Sequence, residues 1–176
     1  MEHDYSGDDY LERDMTEQLK APYQYLVNEI IPRTPELAYE YGIVQYYGAL
    51  DSQIDEYLIL NLDSLEESLA IPVAELLNYA YSNSGVLVSS EVLAELAGIS
   101  SMPQPFGGDP ELVASTVNSL VTWTIMGYYS EWAGYGTTRL ATPGQRVLEY
   151  APVSWSQVGY PGPSLGYHGL RTYAVQ

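Results

Sequence analysis

Asp51 and Asp55 stand four residues apart, with Glu56 beside the second. On a helix that spacing brings two carboxylates to one face, where they can bind a hard cation or divide the roles of acid and base. A metal centre in a helical bundle normally adds a Glu-x-x-His element, and the sequence has none. In a chain with 23 acids and 6 bases such pairs arise by chance, so a solvated acidic face is the plain expectation. The two histidines offer another route. His3 lies in an acidic N-terminal stretch, and His168 in a glycine- and proline-rich one. His168 is a candidate general base or metal ligand, to be paired with a carboxylate such as Glu131 or Glu149, against the alternative of a partly exposed loop histidine. HExxH, GxSxG and a phosphate loop are absent. The glycines of "FGGD" and "GYPGPSLGYHG" do not fall between a strand and a helix, as dinucleotide binding needs. Cysteine is absent, which removes disulfides, thiolate ligands and a cysteine nucleophile. A catalytic role is therefore not expected of this chain, nor a cofactor of its own.

Aromatic residues carry a stronger signal. Tyrosine occurs 18 times against a single Phe106. An apolar ring with a polar tip suits half-wet packing and interfaces, although most of these tyrosines are expected simply to replace Phe around the core. Trp123, Tyr128, Tyr129, Trp132 and Tyr135 cluster after residue 120, and Trp155, Tyr160 and Tyr167 lie in the ribbon "SWSQVGYPGPSLGYHG". That ribbon has neither helical nor alternating period, yet a tail in open water would not carry so many rings. The expectation is that it folds back over the end of the preceding helix, its prolines limiting the entropy lost on ordering. The outer face of such a clamp can serve as a docking surface, with Tyr128, Tyr129, Trp132, Trp155, Tyr160, Pro161 and Tyr167 as candidate contacts.

The elements that must position these rings read as helices. Residues 1–9 read as a mobile acidic arm. Leu11, Met15 and Leu19 open an apolar stripe that Tyr23, Leu26, Val27, Ile30 and Ile31 continue, with a break or restart expected at Pro22. Thr34-Pro35-Glu36 predicts a helix start and Gly42 its end. A further helix is expected over residues 43–60, with Val44, Tyr47, Leu50, Ile54, Tyr57 and Leu58 on one side. "SLEE" at residues 64–67 fits a capping box. Helices are then predicted from Pro72 to about Asn83 with Gly85 as the stop, and over residues 89–98. Asp109-Pro110-Glu111 begins the best-signalled helix, with Val113, Val117, Leu120, Val121 and Thr124 as its stripe toward Tyr128. After Trp132 glycine and proline dominate, with at most one short strand in "QRVLEYAPVSW". The fold class read from this pattern is all-α: five or six helices in residues 10–132, wrapped by a long irregular segment over residues 133–176. Segments of that length without structure are uncommon unless they are functional.

At 176 residues the chain is long enough to bury a proper core. Its net charge is −17. The first 75 residues hold three bases against seventeen acids, a balance of −14, and the remainder −3. Such a surface repels phosphate backbones and anionic headgroups, so neither nucleic acid nor a membrane surface is an expected partner. It fits adaptation to high salt or a basic protein partner. No apolar run reaches about 18 residues, so no membrane insertion is expected. Residues 1–19 lack a basic and an apolar region, so no export signal is expected there.

Three blocks resemble the gluconate 2-dehydrogenase subunit 3 family: "LVNEIIPRTPELAYEYGIVQYY", "TIMGYYSEWAGYG" and "SWSQVGYPGPSLGY". That family opens with an "IIPR"-like turn and a segment matched by Ala38, Gly42 and Val44, and closes with a "GYPGP"-like motif after a tryptophan. Gly134-Tyr135-Gly136-Thr137 stands where the family often carries "YGGN", and "TRLATPGQRVLEYAPV" is additional. The resemblance implies a non-catalytic small subunit that binds and stabilises, or helps to mature or export, a larger FAD-dependent dehydrogenase of sugars or alcohols. That large subunit is of the glucose–methanol–choline oxidoreductase type, often with a cytochrome that takes the electrons. The flavin would belong to it and not to this chain. A transient assembly or export chaperone, absent from the mature enzyme, is the alternative within the same resemblance. Location outside the cytoplasm is implied by the family, whereas residues 1–19 leave the cytoplasm open.

Overall fold

The computed structural model describes residues 17–85 and 102–163. The predicted arm, the helix over residues 89–98, and His3, Tyr167 and His168 lie outside the described residues.

Helix α1 spans Glu17–Ile30 and buries Leu19, Tyr23, Leu26 and Val27. It does not break at Pro22. Proline there forfeits only the bond its absent N–H would make to the carbonyl of residue 18, and its buried ring adds to the core. Helix α2, Pro35–Tyr41, starts after Thr34 as predicted. The Thr34 hydroxyl does not cap it but donates to the Gln45 carbonyl instead. Gly42, at φ 102°, ends α2 with its N–H on the Ala38 carbonyl.

The single helix expected over residues 43–60 is three pieces: 3₁₀ turns at Ile43–Tyr46 and Leu50–Ser52, then α3 at Ile54–Asp63. Tertiary bonds outcompete helix continuation here. Gly48 passes so close to the backbone of residues 31–33 that a Cβ would lie 2.5 Å from the Ile31 carbonyl oxygen. The Ala49 N–H then donates to that same oxygen at 2.9 Å. Gln53 adopts the left-handed conformation, φ 48°, just before α3, and the Trp132 indole N–H donates to its carbonyl at 2.8 Å.

Helix α4 spans Ala70–Ser84 and stops at Gly85, φ 70°, as predicted. The capping box at residues 64–67 is not formed. The residue before α4 is Leu69, whose N–H bonds back to Leu62, and Ser68 turns to Asp63 at 2.6 Å. Helix α5, Pro110–Tyr129, begins with the Asp109 carboxylate accepting from the Leu112 N–H at 2.9 Å. It buries Val113, Val117, Leu120, Thr124 and Tyr128, close to the predicted stripe.

Beyond α5 the chain makes a 3₁₀ segment at Trp132–Thr138, another at Pro143–Gln145, and a short helix α6 at Val153–Gln157. The opening residues of the ribbon are thus helical, and no strand occurs among the described residues. The architecture is an all-α bundle. Helix α1 packs against α3 and α4, and α5 packs against α3. Leu26, Val27, Ile54, Leu58, Val73, Leu76, Leu77 and Leu120 form its centre. Each such side chain stabilises the fold by roughly 1.5–3 kcal/mol relative to exposure. Two tyrosines are fully buried with them, each with its hydroxyl on a carbonyl: Tyr23 on Ala70 at 2.6 Å, and Tyr128 on Tyr47 at 2.9 Å. None of the helices in the described residues is long and apolar enough to cross a membrane.

Candidate functional site

The C-terminal segment returns to the end of α5 and is fastened there by specific bonds. Trp155, buried in α6, donates its indole N–H to the Tyr129 carbonyl at 3.1 Å. Its ring meets that of Tyr160 edge-on, with centroids 5.1 Å apart. Gln157 is the second fastener. Its Nε2 donates to the carbonyls of Val44 and Tyr47, both at 3.0 Å, and its backbone carbonyl accepts from Gln45 Nε2 at 3.2 Å. Its Oε1 lies 2.6 Å from the Tyr128 hydroxyl, whose single proton is shared between this oxygen and the Tyr47 carbonyl. Burial pushes the Tyr128 pKa up to about 12, so the hydroxyl stays a donor at ordinary pH. A third fastener lies upstream, where the Gly134 carbonyl accepts from the Glu149 N–H at 2.7 Å. A side chain on Gly134 would collide with the Tyr150 carbonyl and Leu148.

Tyr128, Trp132 and Trp155 are buried and hold the clamp together. Trp132 meets Tyr57 edge-on, at 5.4 Å between centroids, and carries the Arg146 guanidinium 5.4 Å from its own ring centre. Tyr129 and Tyr160 are each 46% exposed, and Pro161 and Val158 are open to solvent beside them. Of the seven candidate contact residues, Tyr129, Tyr160 and Pro161 therefore form the outer face, and Tyr167 lies outside the described residues. Trp123 is partly buried against the core. Nothing in the sequence singles out Gln157 or Gln45: a glutamine has no spacing signature, and its value here comes from a carbonyl row that only the fold creates.

Two hollows flank the returning segment. One, of about 280 Å³, is lined by Tyr57, Ser130, Glu131, Trp132, Tyr135 and Arg146. Within it the Tyr135 hydroxyl donates to Glu131 at 2.7 Å, and that bond, before burial, raises the tyrosine's pKa. The other, of about 260 Å³, is lined by Tyr47, Asp51, Ser52, Ala133, Tyr150 and Val153. Glu149 is spent on the segment's own geometry: it accepts from the Thr137 N–H at 3.1 Å and from the Thr137 hydroxyl, which together lower its pKa.

The acidic trio does not form a solvated face. Asp51 is in a 3₁₀ turn, where it accepts from the Gly48 N–H at 2.9 Å and from Arg33 Nε at 3.0 Å. Burial works to raise its pKa, but Arg33 and Gly48 prevail and hold it low. Asp55 and Glu56, in the first turn of α3, are only 4% and 5% exposed. Glu56 joins three parts of the chain, accepting from Lys20 of α1 at 2.7 Å and from Arg139 of the C-terminal segment at 2.6 Å. Burial raises its pKa, and the two cations more than reverse that, leaving it below the ordinary carboxylate range. Asp55 accepts from Gln24 Nε2 at 3.3 Å and from the Glu56 backbone N–H, but burial, with the neighbouring Glu56 charge, outweighs them and raises its pKa. The expected solvated face fails because α3 begins at the junction of α1 and the returning segment, inside the molecule. Among the described residues no group of three or more His, Cys, Asp or Glu side chains is placed to hold a metal ion.

Comparison with known protein families, with curated proteins and with solved structures finds no match to this chain.

Proposed function

We propose that this chain is a small accessory subunit that binds and stabilises a larger FAD-dependent dehydrogenase of the glucose–methanol–choline type. The observation that supports the reading most is the fastened C-terminal segment. Its buried Trp155 and half-buried Gln157 hold a stiff loop whose outer face, Tyr129, Tyr160 and Pro161, remains open to solvent. Rigid aromatic side chains presented without further ordering cost make effective interface anchors. The identity of the partner comes from the three blocks that resemble the gluconate 2-dehydrogenase subunit 3 family, two of which supply the end of α5 and the clamp itself. The flavin belongs to the partner, a cytochrome subunit accompanies it in some assemblies of the family, and this chain contributes surface.

The test is co-purification of the full chain with a flavoprotein dehydrogenase of the glucose–methanol–choline type from the same source, followed by the Tyr160→Ala and Tyr129→Ala variants. The expected result is a stoichiometric complex that either variant weakens while the helical signal and melting temperature stay close to those of the unaltered chain. Absence of any complex at native salt contradicts the proposal. A complex that forms only during assembly, and is missing from the active enzyme, converts the reading to a chaperone.

A further inference from the structure

Helix α2 and the 3₁₀ turn after it bury none of their own side chains. Tyr39 is 96% exposed, and Leu37, Tyr41 and Ile43 are exposed with it. A seven-residue helix is too short to persist on intrinsic propensity alone, so this one is held from its base. The Thr34 N–H donates to the Tyr46 carbonyl at 3.0 Å and its hydroxyl to Gln45. Arg33 lies over the Tyr46 ring while its guanidinium grips Asp51. The result is a preorganised hairpin that presents large apolar side chains and contributes nothing to the protein's own core. Through Gln45, bonded to the Gln157 carbonyl, it adjoins the outer face of the clamp.

Charge selects the occupant. Each of the four bases in the described residues is engaged within the chain: Lys20 and Arg139 on Glu56, Arg33 on Asp51, and Arg146 on the Trp132 ring and the Ala141 carbonyl. The hairpin itself carries Glu36 and Glu40, both exposed, among its apolar residues. A second copy of this chain would bring like charge to like, and an anionic lipid surface would be repelled. We infer that the hairpin of residues 34–46 is a docking edge that inserts into an apolar groove bordered by Lys and Arg on the large flavoprotein subunit, with Leu37, Tyr39, Tyr41 and Ile43 as anchors. The inference rests on the accessory-subunit reading above and extends its contact surface beyond the clamp. Apolar anchors supply the affinity, and Glu36 and Glu40 set the register and the rate of encounter.

The experiment measures the dissociation constant between the full chain and the purified flavoprotein, over a salt series, for the unaltered chain, Tyr39→Ala with Tyr41→Ala, and Glu36→Gln with Glu40→Gln. The double alanine variant is expected to bind roughly tenfold or more weakly, with an unchanged melting temperature because neither ring packs on the core. The glutamine variant is expected to associate more slowly and to show a shallower salt dependence. If the unaltered chain binds and the double alanine variant binds equally well, the docking edge is overturned while the accessory-subunit reading stands. If the unaltered chain does not bind the flavoprotein, both fall. If sedimentation shows a dimer of this chain that the double variant dissolves, the occupant is a second copy and the inference is wrong.

Discussion

Asp55 and Glu56 are adjacent carboxylates in the same turn, and their surroundings drive them in opposite directions. Glu56 has two cations, and its lowered pKa means that the unfolded chain binds its proton more tightly. Its stabilisation is present above the ordinary glutamate range and is lost as pH falls through the folded value. Glu56→Gln should therefore destabilise the protein near neutral pH by roughly 2–4 kcal/mol, toward the lower end because Lys20 and Arg139 keep some contact with water. Thermal melts from pH 7 to pH 3 check it: the gap between variant and parent should close on acidification. Asp55 is the reverse case. Burial raises its pKa, so the folded state holds the proton more tightly, and stability from this group is lost as pH rises through the folded value. Asp55→Asn keeps an acceptor for Gln24 without a charge to bury. It should raise stability near pH 7 by about 1 kcal/mol, with the gain vanishing at low pH. A loss of stability at pH 7 would show that the Gln24 and Glu56 N–H bonds and the Lys20 charge outweigh the cost of burying the carboxylate.

At the scale of elements, the clamp makes the sharpest prediction. Trp155→Ala removes a buried ring, the bond to Tyr129 and the edge contact with Tyr160. It should cost about 3 kcal/mol or more and free the segment after Gln145, which limited proteolysis would register as early cleavage after Arg146. Elements whose signals are local were legible in the sequence. Asp109-Pro110-Glu111 and Gly85 marked real helix ends because caps and left-handed glycines act within one turn. The return of residues 154–160 onto α5 was legible through one ring, Trp155, which is buried there, whereas Tyr160 stays half exposed. Elements decided from a distance were not. The break at Gly48 depends on the Ile31 carbonyl, and the ion pair of buried Glu56 on Arg139, more than eighty residues away. "SLEE" had the right letters for a capping box, but no helix begins there. In α6, Val153–Gln157, five residues show too little periodicity to read, and the flanking glycines and prolines pointed to loop.

For the whole molecule, a net charge of −17 and bases engaged internally make self-repulsion a standing destabilising term. Salt shortens the Debye length from about 30 Å at 10 mM to about 8 Å at 150 mM, and it screens exposed carboxylates far more than the buried Glu56 junction. The melting temperature should rise by a few degrees between these conditions, as expected at roughly 2–4 °C per kcal/mol for a chain of this size. A fall would mean that ion pairs, and not packing, dominate stability. The same charge distribution suits a basic partner, and the hairpin after α2 is tied to the clamp by the Gln45–Gln157 bond. Hydrogen–deuterium exchange of the chain, alone and with the flavoprotein dehydrogenase, tests this most directly. Exchange should slow in residues 37–43 and 158–163 on complex formation, with the core of α3 and α4 unaffected. Unchanged exchange in both segments, in a complex shown to form, would contradict it.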